Sequence, residues 1–145
     1  MINITIIALG RMKESYMREF CAEYEKRLKP LCRLNILELT PCALPDNPSQ
    51  KQIEAALDDE ADRIVEKIPS GAYVCTLCIE GRQKSSEELA GMFSSVALNG
   101  KSNFVFIIGS SYGLSEKVKI GSDERISMSK MTFPHQMARV MLRKT

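Results

Sequence analysis

The residues best equipped for chemistry lie late in the chain. His135 is the only histidine, and an imidazole with a pKa near neutrality is able to accept a proton or contact a charged ligand. Its blander alternative is a helix-start histidine bonded to backbone. Arg139 follows four residues later, on the same face of a helix that Pro134 is suited to begin. A guanidinium there can hold a phosphate or stabilise a developing anion, or else form a surface salt bridge. Cys75 and Cys78 make a Cys-x-x-Cys. Residues three apart on a strand point to opposite faces, so this pair is poorly placed to chelate one metal or act as a redox couple.

Three segments are suited to present backbone to a ligand. Glu80-Gly81-Arg82 and Gly109-Ser110-Ser111-Tyr112-Gly113 each follow an apolar run. Glycine directly after a buried strand permits a positive-φ turn and lets a ligand approach the amides, although a plain turn glycine has the same signature. Glu80 either reaches a ligand ribose or is simply solvated. The third segment, Ser127-Met128-Ser129-Lys130-Met131-Thr132-Phe133, is short of turn formers and rich in apolar side chains. Exposed backbone among apolar groups suits a purine, which takes flat apolar contact and a few amide hydrogen bonds, better than a phosphate. Gly-x-x-x-x-Gly-Lys-Ser/Thr is absent, and Gly109 to Gly113 lacks the Gly-x-Gly-x-x-Gly spacing, which argues against ATP, GTP and NAD. Met128, Met131, Met137 and Met141 either line a pocket or fill gaps in the core.

Such segments need a frame to bring them together. Ile2 to Leu9, Leu34 to Leu39, Tyr73 to Ile79 and Phe104 to Ile108 are β-branched and apolar runs that read as buried strands. Between them, Tyr16, Phe20, Tyr24 and Leu28 recur at helical spacing, as do Ile53, Leu57, Ile64 and Ile68, and then Leu89, Phe93 and Val96. Ser49 with Gln52 and Ser85 with Glu88 fit capping boxes that define two helix starts. Pro41, Pro45 and Pro48 exclude regular structure between the second strand and its helix. Alternating buried strands and helices predict an α/β fold of the doubly wound type, a mainly parallel sheet with helices on both faces. In that class the crevice forms at the carboxyl ends of the strands, where the segments above begin.

At 145 residues the chain fits a single domain spanning 1–145, with 44% hydrophobic and 26% charged residues as in ordinary globular proteins. Residues 1–80 carry 10 Lys/Arg against 13 Asp/Glu (net −3), and residues 81–145 carry 10 against 5 (net +5). The basic half is compatible with a nucleic-acid face, but a solvated surface has the same charge. No apolar stretch is long enough to span a bilayer, and Met1 to Leu9 lacks the basic flank and cleavage site of a secretory signal, so the cytoplasm is expected. Five cysteines at positions 21, 32, 42, 75 and 78 read as reduced packing thiols rather than a disulfide framework.

Two blocks carry a family resemblance. Phe104-Val105-Phe106-Ile107-Ile108-Gly109 with Gly113-Leu114, and the run from Ser127 through Thr132-Phe133-Pro134-His135-Gln136-Met137-Ala138-Arg139-Val140, resemble the RlmH family. These are SPOUT-superfamily methyltransferases acting on a pseudouridine of large-subunit ribosomal RNA, and the match runs from Met1 to about Leu142. The resemblance implies S-adenosyl-L-methionine as cofactor, touched by Leu77, Gly109, Met128, Ser129, Lys130, Met131, Thr132 and Phe133. It also implies a homodimer, a trefoil knot near the C-terminus, a substrate in the assembled ribosome, and no metal. The implied reaction transfers a methyl group to N3 of pseudouridine, with His135 and Arg139 as the candidates for its catalytic groups.

This chain ends Arg143-Lys144-Thr145, where the family continues with a helical stretch and a tail holding tyrosine, histidine and a basic residue. It therefore resembles a C-terminally truncated member. Two alternatives stand beside an active enzyme: a homologue that binds cofactor or ribosome without turnover, and a different nucleotide-binding α/β protein.

Overall fold

In the computed structural model, residues 2–10, 14–109, 113–128 and 139 are described. The β-branched start of the chain forms β1 (Ile2–Leu9), which leads through α1 (Ser15–Leu28) to β2 (Cys32–Leu39). Next come α2 (Gln50–Glu66), β3 (Tyr73–Gln83), α3 (Ser86–Leu98) and β4 (Asn103–Ile108), then α4 (Glu116–Gly121) and β5 (Glu124–Ser127). The strands make one sheet in the order β2-β1-β4-β3-β5, and every pairing is parallel. The doubly wound parallel α/β fold expected from the sequence is therefore present. The expected knot falls largely on residues outside those described.

Period-two alternation places successive side chains on opposite faces, and both faces are covered. Ile7, Leu9, Val74, Val105 and Ile107 pack with Ala61 and Ile64 of α2 and Val118 of α4. On the other face, Ile6, Ala8, Cys75, Phe104, Phe106 and Ile108 pack with Met92 of α3 and its partly buried Leu89, Phe93 and Val96. Phe104 is fully buried, and its ring lies 4.6 Å from that of Phe93 and 6.1 Å from that of Tyr73. Cys75, also fully buried on this face, has its thiol pushed up to about 12 by burial first and then by the carboxylates of Glu124 and Asp123. All five cysteines are free thiols.

Both predicted capping boxes are present. The Ser49 and Ser85 hydroxyls accept from the amides of Gln52 and Glu88, whose side chains accept from the serine amides in return. Helix α1 behaves differently. Of its residues only Cys21 is buried, while Tyr16 and Phe20 of its helical stripe are 67% and 50% exposed. Phe20 stacks on Tyr24, and Arg27 lies over the Tyr24 ring.

Two elements have no counterpart in the expected pattern. Helix α4 is short, and β5 offers one fully apolar residue, Ile126, among Glu124, Arg125 and Ser127, too little for the apolar-run test. Polar groups hold β5 against β3 instead. Asp123 accepts from the Val74 amide through its carboxylate and donates from its own amide to the Val74 carbonyl, each at 2.8 Å. Glu124 pairs with Lys84 at 2.9 Å and accepts from the Tyr73 hydroxyl at 3.2 Å.

Candidate functional site

Parallel strands end at the same side of a sheet, so the loops that follow β3, β4 and β5 share that side. Leu77 of β3 lies in register with Ile108 of β4 and with Ile126 of β5. Gly109 follows Ile108 directly, and Met128 stands two residues beyond Ile126. With neighbouring strands about 4.8 Å apart, three expected cofactor positions thus lie on or directly after three adjacent strands, Leu77 being the residue at which the regular pairing of β3 with β5 breaks off. Leu77 and Met128 are half-buried and Gly109 is buried. Leu77 stands on the middle strand, with Gly109 after its neighbour on one side and Met128 after its neighbour on the other.

Gly109 is required by close approach. A Cβ there would stand 2.3 Å from the Gly113 carbonyl oxygen and 2.9 Å from the Leu114 side chain. The positive φ expected of this loop belongs to Gly113, at 88°, and not to Gly109. Beyond the turn, Ser115 caps α4 by accepting from the Lys117 amide, and its hydroxyl donates to Asp58 of α2 at 2.7 Å. The loop after β4 is thereby tied to α2. Two residues on, Glu60 of α2 accepts from the Cys42 amide at 2.8 Å and so ties down the loop after β2. Burial pushes the Glu60 carboxyl up, against the Cys42 amide and Arg63, which lower it. Sequence reasoning missed both ties. The signal for the first was available, since Ser115 before Glu116 is a helix-start pattern.

Glu80-Gly81-Arg82 departs from expectation. It is not a turn after a finished strand: β3 continues to Gln83, and its pairing with β5 shifts between Leu77 and Arg82, both of which meet Ile126. Residues 78–81 therefore make an irregular excursion within the strand. Gly81 passes so close to β5 that a Cβ would lie 2.8 Å from backbone atoms of Arg125 and Ile126. Glu80, half exposed, pairs with Lys119 of α4, and that bond lowers its carboxyl below the ordinary range.

Arg139 is helical and only 2% exposed. Its guanidinium pairs with Glu38 and donates to the Gly10 carbonyl at 3.2 Å, at the ends of β2 and β1. The pair joins a buried guanidinium to a carboxylate that stays partly exposed, and a guanidinium so enclosed presents little surface to a phosphate. Ser129, Lys130, Met131, Thr132, Phe133 and His135 lie outside the described residues. Among the described residues, no group of three or more His, Cys, Asp or Glu is arranged to hold a metal. No described helix is long and apolar enough to cross a membrane.

These features define a doubly wound α/β domain, a class in which ligands bind outside the carboxyl ends of the strands. A family model described as "Predicted SPOUT methyltransferase" matches residues 2–144, and the chain belongs to this family. It is 46% identical over 141 residues to the ribosomal RNA large subunit methyltransferase H of Clostridium botulinum (strain Eklund 17B / Type B). Proteins of the same name from Clostridioides difficile (strain 630) and Bacillus pumilus (strain SAFR-032) are 45% and 43% identical over the same length. Each alignment covers 97% of this chain and 89% of the relative. The resemblance to the RlmH family read from the two sequence blocks is borne out.

Proposed function

We propose that this chain uses S-adenosyl-L-methionine to methylate N3 of a pseudouridine in large-subunit ribosomal RNA, acting in the cytoplasm on the assembled ribosome. The observation that carries the cofactor reading is the gathering of Leu77, Gly109 and Met128 on or directly after three neighbouring strands. Their chemistry fits an adenosine: half-buried Leu77 and Met128 offer apolar contact, and the Gly109 main chain follows the strand next to that of Leu77. Ser129, Lys130, Met131, Thr132 and Phe133 complete the proposed contact set. The substrate reading rests on the names of the relatives.

When bound, the cofactor supplies an electrophilic methyl group on a sulfonium. The protein's part is to hold the base nitrogen in line with that methyl, which replaces a bimolecular encounter and lowers the barrier by several kcal/mol. N3 must also lose its proton, and His135 is the group proposed to accept it or to contact the RNA. Arg139, the second candidate catalytic group, is buried against Glu38, which favours a role through its partners over direct contact with substrate. Residues 1–145 are proposed to form one knotted domain that works as a homodimer. The exposed Tyr16 and Phe20 of α1 support a further contact surface.

The test begins with calorimetric titration of the purified chain with S-adenosylhomocysteine and measurement of its solution mass. Labelled S-adenosylmethionine is then supplied with ribosomes lacking the mark. Binding by a dimer and incorporation of label at the pseudouridine are expected. Preference for ATP or NAD would overturn the cofactor reading, and tight binding without transfer would favour the non-catalytic alternative.

A further inference from the structure

We infer that Asp58 of α2 is a positioning residue for the methyl-transfer site, holding the Gly109 main chain where the cofactor is proposed to lie; this rests on the cofactor reading above. Asp58 stands within a helix, outside both sequence blocks that carry the family resemblance, and 57 positions from the residue it holds. Its carboxylate accepts from the Ser115 hydroxyl at 2.7 Å. Ser115 is 5% exposed, so its hydroxyl is largely cut off from water and needs an acceptor within the protein. The same oxygen accepts from the Lys117 amide at 3.2 Å, so the hydroxyl gives one bond and receives one.

Contact carries the hold from Ser115 back to Gly109. Leu114, the residue before Ser115, is buried in the same apolar cluster as Ala61 and Ile64 of α2. Asp58, Ala61 and Ile64 follow one another at three-residue steps, so one stripe of the helix presents both the carboxylate and the apolar groups. Gly109 fits against this unit closely: a Cβ on it would reach the Gly113 carbonyl oxygen at 2.3 Å and the Leu114 side chain at 2.9 Å. A small shift of Gly113 and Leu114 therefore either presses on the Gly109 main chain or opens a gap beside it. From Asp58 through Ser115, Leu114 and Gly113 to Gly109, each residue bonds, adjoins or touches the next.

Apolar burial alone does not fix this unit along α2, because it is non-directional, whereas a hydrogen bond to a carboxylate sets a distance and an angle. Without the carboxylate the enclosed Ser115 hydroxyl has lost its acceptor. It then turns away from the Lys117 amide, or the residues beside it move to bring it to water. The Gly109 main chain of the free protein is left with several positions, of which only one meets the cofactor. Apparent affinity falls with the population of that position. Once the cofactor is bound the position is regained, and transfer runs at close to its usual rate.

The test measures S-adenosylhomocysteine affinity by calorimetry on the full chain with Asp58→Ala, which removes the acceptor, and Asp58→Asn, whose amide oxygen accepts the same bond. Asp58→Ala should weaken binding by roughly five- to tenfold and raise KM for S-adenosylmethionine in step, with kcat at saturating cofactor within about threefold of wild type. Asp58→Asn should restore most of the affinity. Ser115→Ala should weaken binding too, and adding Asp58→Ala to it should cost little more. Hydrogen exchange should quicken in Asp58→Ala at the Val118 and Lys119 amides, which both donate to the Ser115 carbonyl. A carboxylate that served the fold alone would lower the urea midpoint and leave the affinity of the folded protein unchanged; that result would overturn the inference, as would a loss confined to kcat or one that Asp58→Asn does not rescue. Should Asp58→Ala fail to fold, Ser115→Ala carries the comparison, and wild-type affinity in that variant overturns the inference. If the wild-type chain binds no S-adenosylhomocysteine, the cofactor reading fails and takes the positioning role with it. Exchange at Val118 and Lys119 then reports separately whether the tie to α2 exists.

Discussion

The two sides of the sheet are built on different physics. On one side, β1 meets β2 in eight consecutive register pairs from Ile2↔Cys32 to Leu9↔Leu39, and meets β4 without interruption from Asn3↔Asn103 to Ala8↔Ile108. On the other, β3 and β5 pair through Cys75 to Leu77, shift register, and resume at Arg82. The first side is held by apolar burial, with Ile7, Val105, Ile107 and Phe104 excluded from solvent. The second depends on directed polar bonds from Asp123, Glu124 and Ser122. Apolar burial is non-directional and tolerates a regular strand, whereas irregular backbone must have each polar group partnered. The regular side serves as the scaffold, and the irregular side carries Leu77 and Met128.

The comparison breaks most severely at Phe104. Phe104→Ala leaves a cavity against Phe93 and Tyr73 and should cost about 3–5 kcal/mol of global stability, read as a lowered urea midpoint with both sides of the sheet lost together. Loss of β5 alone would show that the core is not shared. Gly81→Ala acts on the other side. Its new methyl group meets the β5 backbone at 2.8 Å, which cannot yield like a flexible side chain. A cost of about 1–3 kcal/mol is expected. Hydrogen exchange should quicken in Glu124–Ser127 while β1 and β2 stay protected. Equal protection everywhere would mean that the excursion accommodates a methyl.

The same division explains what was legible in the sequence. β1 and β4 were readable because burial on both faces writes an apolar run, β2 because Leu34, Ile36, Leu37 and Leu39 still make an apolar run at the sheet edge, and the two capping boxes because Ser-x-x-Gln and Ser-x-x-Glu carry their own geometry. β5 was not, since three of its four residues are polar and its partners lie some fifty positions away, as Val74 does from Asp123. Gly81 read as a turn because a glycine after an apolar run has that signature, whereas its actual cause is a neighbouring strand. Leu77, Gly109 and Met128 were named through family resemblance, and only the strand order shows that they are neighbours. The burial of Arg139 against Glu38 was likewise hidden, because nothing local links residues 101 positions apart.

The smallest effect expected separates charge from packing on the irregular side. Lys119 bonds to Glu80 and lowers that carboxyl's pKa; burial works against the Lys119 ammonium, but the bond to Glu80 raises its pKa overall. A lowered carboxyl contributes stability above its unfolded value, about 4.3, and loses it as pH falls through the folded value. A raised ammonium keeps its contribution below about pH 10.4 and loses it above. The bridge therefore acts from roughly pH 5 to pH 10. Because Glu80 is half exposed, solvent screening holds the effect to about 1 kcal/mol or less. Glu80→Gln should lower the urea midpoint slightly at neutral pH, and the deficit should shrink as pH falls below about 4.3 toward the folded value. A deficit that does not change with pH would mean that Glu80 acts through packing, and that the polar character of this side does not rest on this pair.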